Sequence, residues 1–69
     1  MRIAYHRDVD VLYIKLRDRP AIDSEHIEEM GIVLDYDEHN QVVGIEIWGW
    51  SERQKKGEEL NIPLEVREC

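Results

Sequence analysis

From Gly31 to Ile47 the chain reads Gly-Ile-Val-Leu-Asp-Tyr-Asp, then Glu-His-Asn-Gln, then Val-Val-Gly-Ile-Glu-Ile, two strand-like runs about a polar turn. Runs of β-branched residues bounded by turn formers predict a β-hairpin. Upstream, Ile3 and Tyr5 alternate with polar neighbours, Arg7-Asp8-Val9-Asp10 is turn-forming, and Val11 to Leu16 is rich in β-branched and aromatic residues. These predict two more antiparallel strands. Arg17 to Pro20 is charged and closed by a proline that donates no backbone hydrogen bond, so it reads as a loop. In residues 22–29 the apolar positions fit neither strict alternation nor a helical stripe, and a short polar edge strand is expected there.

Two arguments about the central hairpin conflict. Asp37-Glu38-His39-Asn40, with Asn40 tolerating left-handed backbone, suits a three-residue loop that would pair Leu34 with Gly44. Hydrophobic parity favours a four-residue loop at 37–40, with Leu34 opposite Val43 and Ile32 opposite Ile45. The second is preferred, because a one-residue slip exposes side chains that each gain roughly 1.5 to 3 kcal/mol on burial. A bulge at Gly44 would reconcile the two.

The same alternation puts Leu12, Ile14, Leu16, Ile32, Leu34, Val43, Ile45 and Ile47 on one face, and Tyr13, Lys15, Val33, Asp35 and Glu46 on the other. The apolar face needs a cover. After Trp48-Gly49-Trp50, Ser51-Glu52-Arg53-Gln54 matches a capping box and predicts a helix start. From Glu52 to Glu59 there is no apolar side chain, so this helix should be short and solvated. The tail from Leu60 to Val66 alternates at Ile62, Leu64 and Val66, which suggests an extended segment that Pro63 restricts to an edge. The expected fold is mainly β, α+β at most: a small antiparallel meander sheet of four or five strands over residues 1–50, then a short helix after Trp50 and an extended tail over 51–69.

A chain of 69 residues is one domain with a small core, and a lone cysteine, Cys69, allows no intrachain disulfide, which leaves oligomerisation as the common remedy. The sequence therefore predicts a homodimer in which the apolar faces cover one another, the rival being Trp48, Trp50 and the tail folding back over that face. Sixteen acidic against nine basic residues give a net charge of −7, which repels nucleic-acid phosphates and would speed encounter with a basic protein. No apolar run has bilayer length and no signal-peptide pattern opens the chain, so a cytoplasmic protein without membrane contact is expected.

Catalytic chemistry finds little to use. Asp35, Asp37, His39 and Glu46 occupy positions 1, 3, 5 and 12 of a calcium-loop template, and they define the alternative reading of a small metal-binding or hydrolytic domain. The template fails where Asn40 replaces its glycine and where strands replace its flanking helices. His6, His26 and His39 lack the spacing of a metal pair, and Asp8 and Asp10 read as turn residues. Ser51 reads as a cap, and no partner activates Cys69. Alternation puts Trp48 and Trp50 on one face of the strand's end, where they serve either as interface anchors or as a cover for the core's end.

Asp10-Val11-Leu12-Tyr13-Ile14, Gly31-Ile32-Val33-Leu34-Asp35-Tyr36-Asp37 and Val42-Val43-Gly44-Ile45-Glu46-Ile47 together resemble the small prokaryotic family DUF2283 over residues 1–50. That pattern commonly has a glycine where this chain has Asn40. The resemblance implies a sheet domain with no established activity, and, because members resemble genes lying beside small toxin genes, an antitoxin-like partner of another protein. The expectation is a non-enzymatic interaction module without cofactor. Its interface would be Leu12, Ile14, Leu16, Ile32, Leu34, Val43, Ile45, Ile47, Trp48 and Trp50.

Overall fold

In the computed structural model, which describes residues 1–57, one antiparallel sheet is built from β1 (Arg2–His6), β2 (Val11–Lys15), β3 (Asp23–Ile27), β4 (Ile32–Tyr36) and β5 (Val42–Trp48). A single 3₁₀ turn, Glu28–Met30, links β3 to β4, and the helix α1 (Trp50–Lys56) follows β5. The extended segment expected at Ile62 to Val66 lies outside the described residues. The mainly β fold, the edge strand β3 and one short helix following β5 match the sequence reading.

The strand order does not. It runs β1-β2-β5-β4-β3, so the meander expectation holds for β3-β4-β5 and fails between β2 and β3. The reason is the composition of the strands. β5 between β2 and β4 brings Ile45 against both Ile14 and Leu34, and Ile47 against both Leu12 and Ile32. The polar β3, Asp-Ser-Glu-His-Ile, goes to an edge, where charged side chains stay in water.

The hairpin between β4 and β5 resolves its conflict by an insertion. Asn40 N–H donates to the Asp37 carbonyl at 3.0 Å, and Asp37 N–H donates to the Gln41 carbonyl at 2.9 Å. Asn40 adopts φ +60. This is the three-residue loop, and the four-residue loop preferred from the sequence is incorrect. Parity still holds: Tyr36 pairs with Val42 and Asp35 with Gly44, which leaves Val43 as an extra residue in β5. Beyond this bulge Leu34 faces Ile45 and Ile32 faces Ile47. The extra residue does what a longer loop would have done, at Val42–Val43 rather than at Gly44.

Helix α1 starts differently from the expected capping box. Its N-cap is Gly49, at φ +67, and no cap side chain serves it. Asp10, at φ +55 in the β1–β2 turn, takes that role from 41 positions away. Its carboxylate accepts from Ser51 N–H at 3.0 Å and from Ser51 Oγ at 2.8 Å, while its carbonyl accepts from Gly49 N–H at 2.9 Å and Trp50 N–H at 3.2 Å. A carboxylate at the amide end of a helix also meets the favourable end of its dipole. On the other side, Arg53 donates through Nε to the Trp48 carbonyl at 3.2 Å and through its guanidinium to the Met30 carbonyl. A helix with almost no apolar stripe is thus fixed by polar anchors at two points.

The turn assignment makes a direct prediction. Asn40→Gly should leave stability almost unchanged, whereas Asn40→Val should lower it by about 1–2 kcal/mol, the cost of left-handed backbone for a side chain with a branched Cβ. Urea denaturation of the two variants checks this.

Candidate interaction surface

The apolar sheet face is closed at its centre and open at one side. Ile32, Leu34, Ile45 and Ile47 are only 1–3% exposed and form the core cluster. Leu12, Ile14, Leu16 and Trp50 pack against it and are half-buried. Beyond them lies β1, where Ile3 pairs with Ile14 and Tyr5 with Leu12, so the same face continues onto the edge strand. There Ile3 is 64% and Tyr5 45% exposed. Tyr5 is oriented by its hydroxyl, which donates to Asp10 Oδ1 at 2.5 Å. That bond is the main reason the tyrosine hydroxyl holds its proton above the usual range, and it helps hold the Asp10 carboxyl below its own.

Two residues of the expected interface fall elsewhere. Val43, the inserted residue, is fully buried but stands outside the core cluster. Trp48 pairs with Val11 and follows Glu46 by two positions, which puts it on the opposite face, half exposed. The left-handed Gly49 interrupts the alternation, and Trp50, in the helix, turns back to the core. The indoles therefore do not form a pair on one face.

The opposite face carries a compact polar group on four adjacent strands, β2, β5, β4 and β3. Gly44 leaves room for the Tyr13 ring, since a Cβ at that position would collide with the Tyr13 hydroxyl and ring carbons. Across the ring lies Asp35, buried at 6% exposure, which accepts from Ser24 Oγ of β3 at 2.7 Å. Burial pushes the Glu46 carboxyl above its usual value, helped by the Asp35 charge and by hydrogen bonding to Asp35, and opposed by His26 and Trp48. Burial also raises the Tyr13 hydroxyl, with Asp35 and Glu46 adding to the effect.

The calcium-loop set is split by this geometry. Asp35 and Glu46 share the polar face, whereas Asp37 belongs to the turn and His39 is exposed beside Glu38 at 3.4 Å. Asp37 is 4% exposed and its carboxylate accepts from His39 N–H at 2.8 Å, Gln41 N–H at 3.0 Å and Arg19 Nη1 at 3.3 Å. The Gln41 amide is the largest reason its carboxyl stays below the usual range. Among the described residues no three His, Cys, Asp or Glu side chains come close enough to hold a metal ion.

Sequence reasoning passed over Ile3 and Tyr5 as interface residues, and Asp10 and Arg53 as anchors. Alternation at Ile3 and Tyr5 was a usable signal, since two apolar side chains on a terminal strand have one covered neighbour at most. For Asp10 and Arg53 no local signal exists, because their partners lie in other elements.

Residues 2–51 match the family described as protein of unknown function (DUF2283), and the chain belongs to that family. The matched stretch contains all five strands and the first two residues of α1. No curated protein and no solved structure matches the chain. Among the described residues no helix is long and apolar enough to cross a membrane.

Two outcomes are expected of the polar face. A carboxyl raised by folding contributes stability that is full below its unfolded value, 4.5 for Glu46, and is lost as pH rises through the folded value. Glu46→Gln should therefore melt higher than the parent chain at neutral pH, and the gap should close in acid, as read from thermal melts across pH. Gly44→Ala should cost about 1–3 kcal/mol by overpacking against Tyr13, and the cost should shrink in a Tyr13→Ala background, a double-mutant cycle read by urea denaturation.

Proposed function

We propose that this chain is a non-enzymatic protein-interaction module, working through the apolar sheet face where it runs out onto β1, with a second copy of itself as partner. One observation carries the reading: Ile3 at 64% and Tyr5 at 45% exposure stand in register with Ile14 and Leu12 of the buried face. In a small domain short of apolar burial, side chains in that position gain most from a partner. The centre of the face is already buried within the chain, so the useful contact is at its β1 side rather than over the whole face, as the sequence alone had suggested. The absence of catalytic work is supported by the engagement of the acidic groups: Asp10, Asp35 and Asp37 each accept hydrogen bonds from within the fold. A cytoplasmic setting suits a chain whose lone cysteine leaves it no intrachain disulfide.

A second partner class has its own support. β3 and the turn after it present Asp23, Glu25, Glu28 and Glu29, all exposed, on a chain of net charge −7. Such an edge steers a basic protein toward the sheet, which is the form an antitoxin-like role would take.

Light scattering at micromolar concentration tests the leading reading. The expected mass is twice the 8.2 kDa of the chain, with a melting temperature that rises with concentration. A mass of 8.2 kDa with a melt indifferent to dilution would overturn it.

A further inference from the structure

We infer that two copies join through β1, edge to edge and antiparallel, about a two-fold axis at Ala4, so that two five-stranded sheets become one. This rests on the self-association proposed above and adds its geometry.

The two outer strands of the sheet differ in how they treat a neighbour. An outer strand presents unpaired backbone amides and carbonyls along one side, and soluble proteins guard such edges with charge, proline or a bulge. β3 is guarded: Asp23 and Glu25 lie in the strand, with Glu28 and Glu29 just beyond, so two such edges side by side would set carboxylates against carboxylates. β1 has no proline and no bulge, and its charged strand residue, Arg2, stands at the end of the strand. From Met1 to Arg7 there is no acidic residue and no proline, its pairing with β2 runs unbroken from Arg2 to His6, and all five strand residues are exposed. Its charged groups are the basic Arg2 and Arg7 towards the strand ends, which leaves Ile3, Ala4 and Tyr5 at the middle free of charge for a second copy to meet.

The strand is also complementary to itself. With Ala4 on the axis, an antiparallel pair sets Ile3 opposite Tyr5 of the second copy, and Tyr5 opposite its Ile3. All four side chains lie on the apolar face, flanked by Ile14 and Leu12 of each copy. Aromatic and β-branched side chains directly opposite one another are favourable cross-strand pairs. On the other face Ala4 meets its twin, with Arg2 of each copy opposite His6 of the second on either side. Stacking the apolar faces instead would add little, because Ile32, Leu34, Ile45 and Ile47 are already 1–3% exposed. One open edge and one guarded edge also give a contact that closes at two copies, since the open strands are consumed in the pair.

Cysteine cross-linking tests the axis in the full chain with Cys69→Ser as background. On it, Ala4→Cys puts two thiols on strands whose Cβ atoms lie about 4.5–5.5 Å apart, near disulfide range. Mild oxidation should convert Ala4→Cys to a covalent dimer and leave Glu25→Cys, on β3, uncoupled. Separately, Ile3→Lys in the otherwise unmodified chain should give the 8.2 kDa mass by light scattering while keeping a cooperative melt, as expected for a side chain 64% exposed. A dimer that Ile3→Lys leaves intact, and in which Ala4→Cys does not cross-link, overturns the edge pairing and leaves self-association standing. An unmodified chain at 8.2 kDa across the micromolar range defeats both.

Discussion

The pairing of Ile32 with Ile47 and of Leu34 with Ile45 is the constraint to which the rest of the sheet adjusts. Strand side chains alternate with period two, so shifting one strand by a residue would carry its whole aliphatic set to the wrong face. The tight turn around Asn40 delivers β5 out of step by one, and the insertion of Val43 corrects it. Two further features follow from that correction. The Val43 carbonyl accepts from the amides of Leu16 and Arg17, at 2.8 and 3.3 Å, where β2 ends. Gly44 arrives opposite Asp35, and its missing side chain gives Tyr13 a place to lie between β2 and β4. The organisation of the polar face is thus a consequence of how the apolar face is kept in register.

The helix shows a different way of holding an element in place. In most small domains a helix docks by an apolar stripe, and here only Trp50 packs against the core cluster. Position comes from directed hydrogen bonds: Asp10 holds the amide end, and Arg53 ties the middle to the carbonyls of Met30 and Trp48. These contacts have strict geometry, so they fix the orientation of the helix more closely than its modest burial would. Asp10 also receives the Tyr5 hydroxyl, which connects the exposed edge strand, the first turn and the helix through one side chain.

Strand existence was legible in the sequence because it depends on local composition, and all five strands lie in segments read as extended. The parity of β4 and β5 was legible because burial of several aliphatic side chains outweighs any turn preference. The loop length was not, because parity can be met by a longer loop or by an inserted residue, and composition does not separate the two. Ser51 was misread as a cap because a capping box is a local pattern, while the actual acceptor, Asp10, comes from a distant turn. The tryptophans were paired by carrying strand alternation through Gly49, where the backbone turns left-handed. Strand order escaped for the same reason as Asp10: which strand lies beside β2 depends on contacts between segments far apart along the chain. For the candidate surface, the buried centre of the face was read directly, and its exposed continuation at Ile3 and Tyr5 was visible as alternation but was not weighed as a surface.

The exchange of neighbours in the strand order bears on how the chain is made. β1 and β2 leave the ribosome before the other three strands, yet the partners of Leu12 and Ile14, Ile47 and Ile45, follow only 35 and 31 residues later. A two-stranded hairpin alone is marginal in water, so during that interval the β1–β2 hairpin has neither a finished ladder nor a covered face. β3, β4 and β5 emerge as consecutive neighbours and have no such wait. The consecutive strands β3, β4 and β5 need no later segment to pair, whereas the earlier hairpin completes its ladder only once β5 has been made. β1, which pairs with β2 alone, depends on that same late contact for its place at the margin of the sheet.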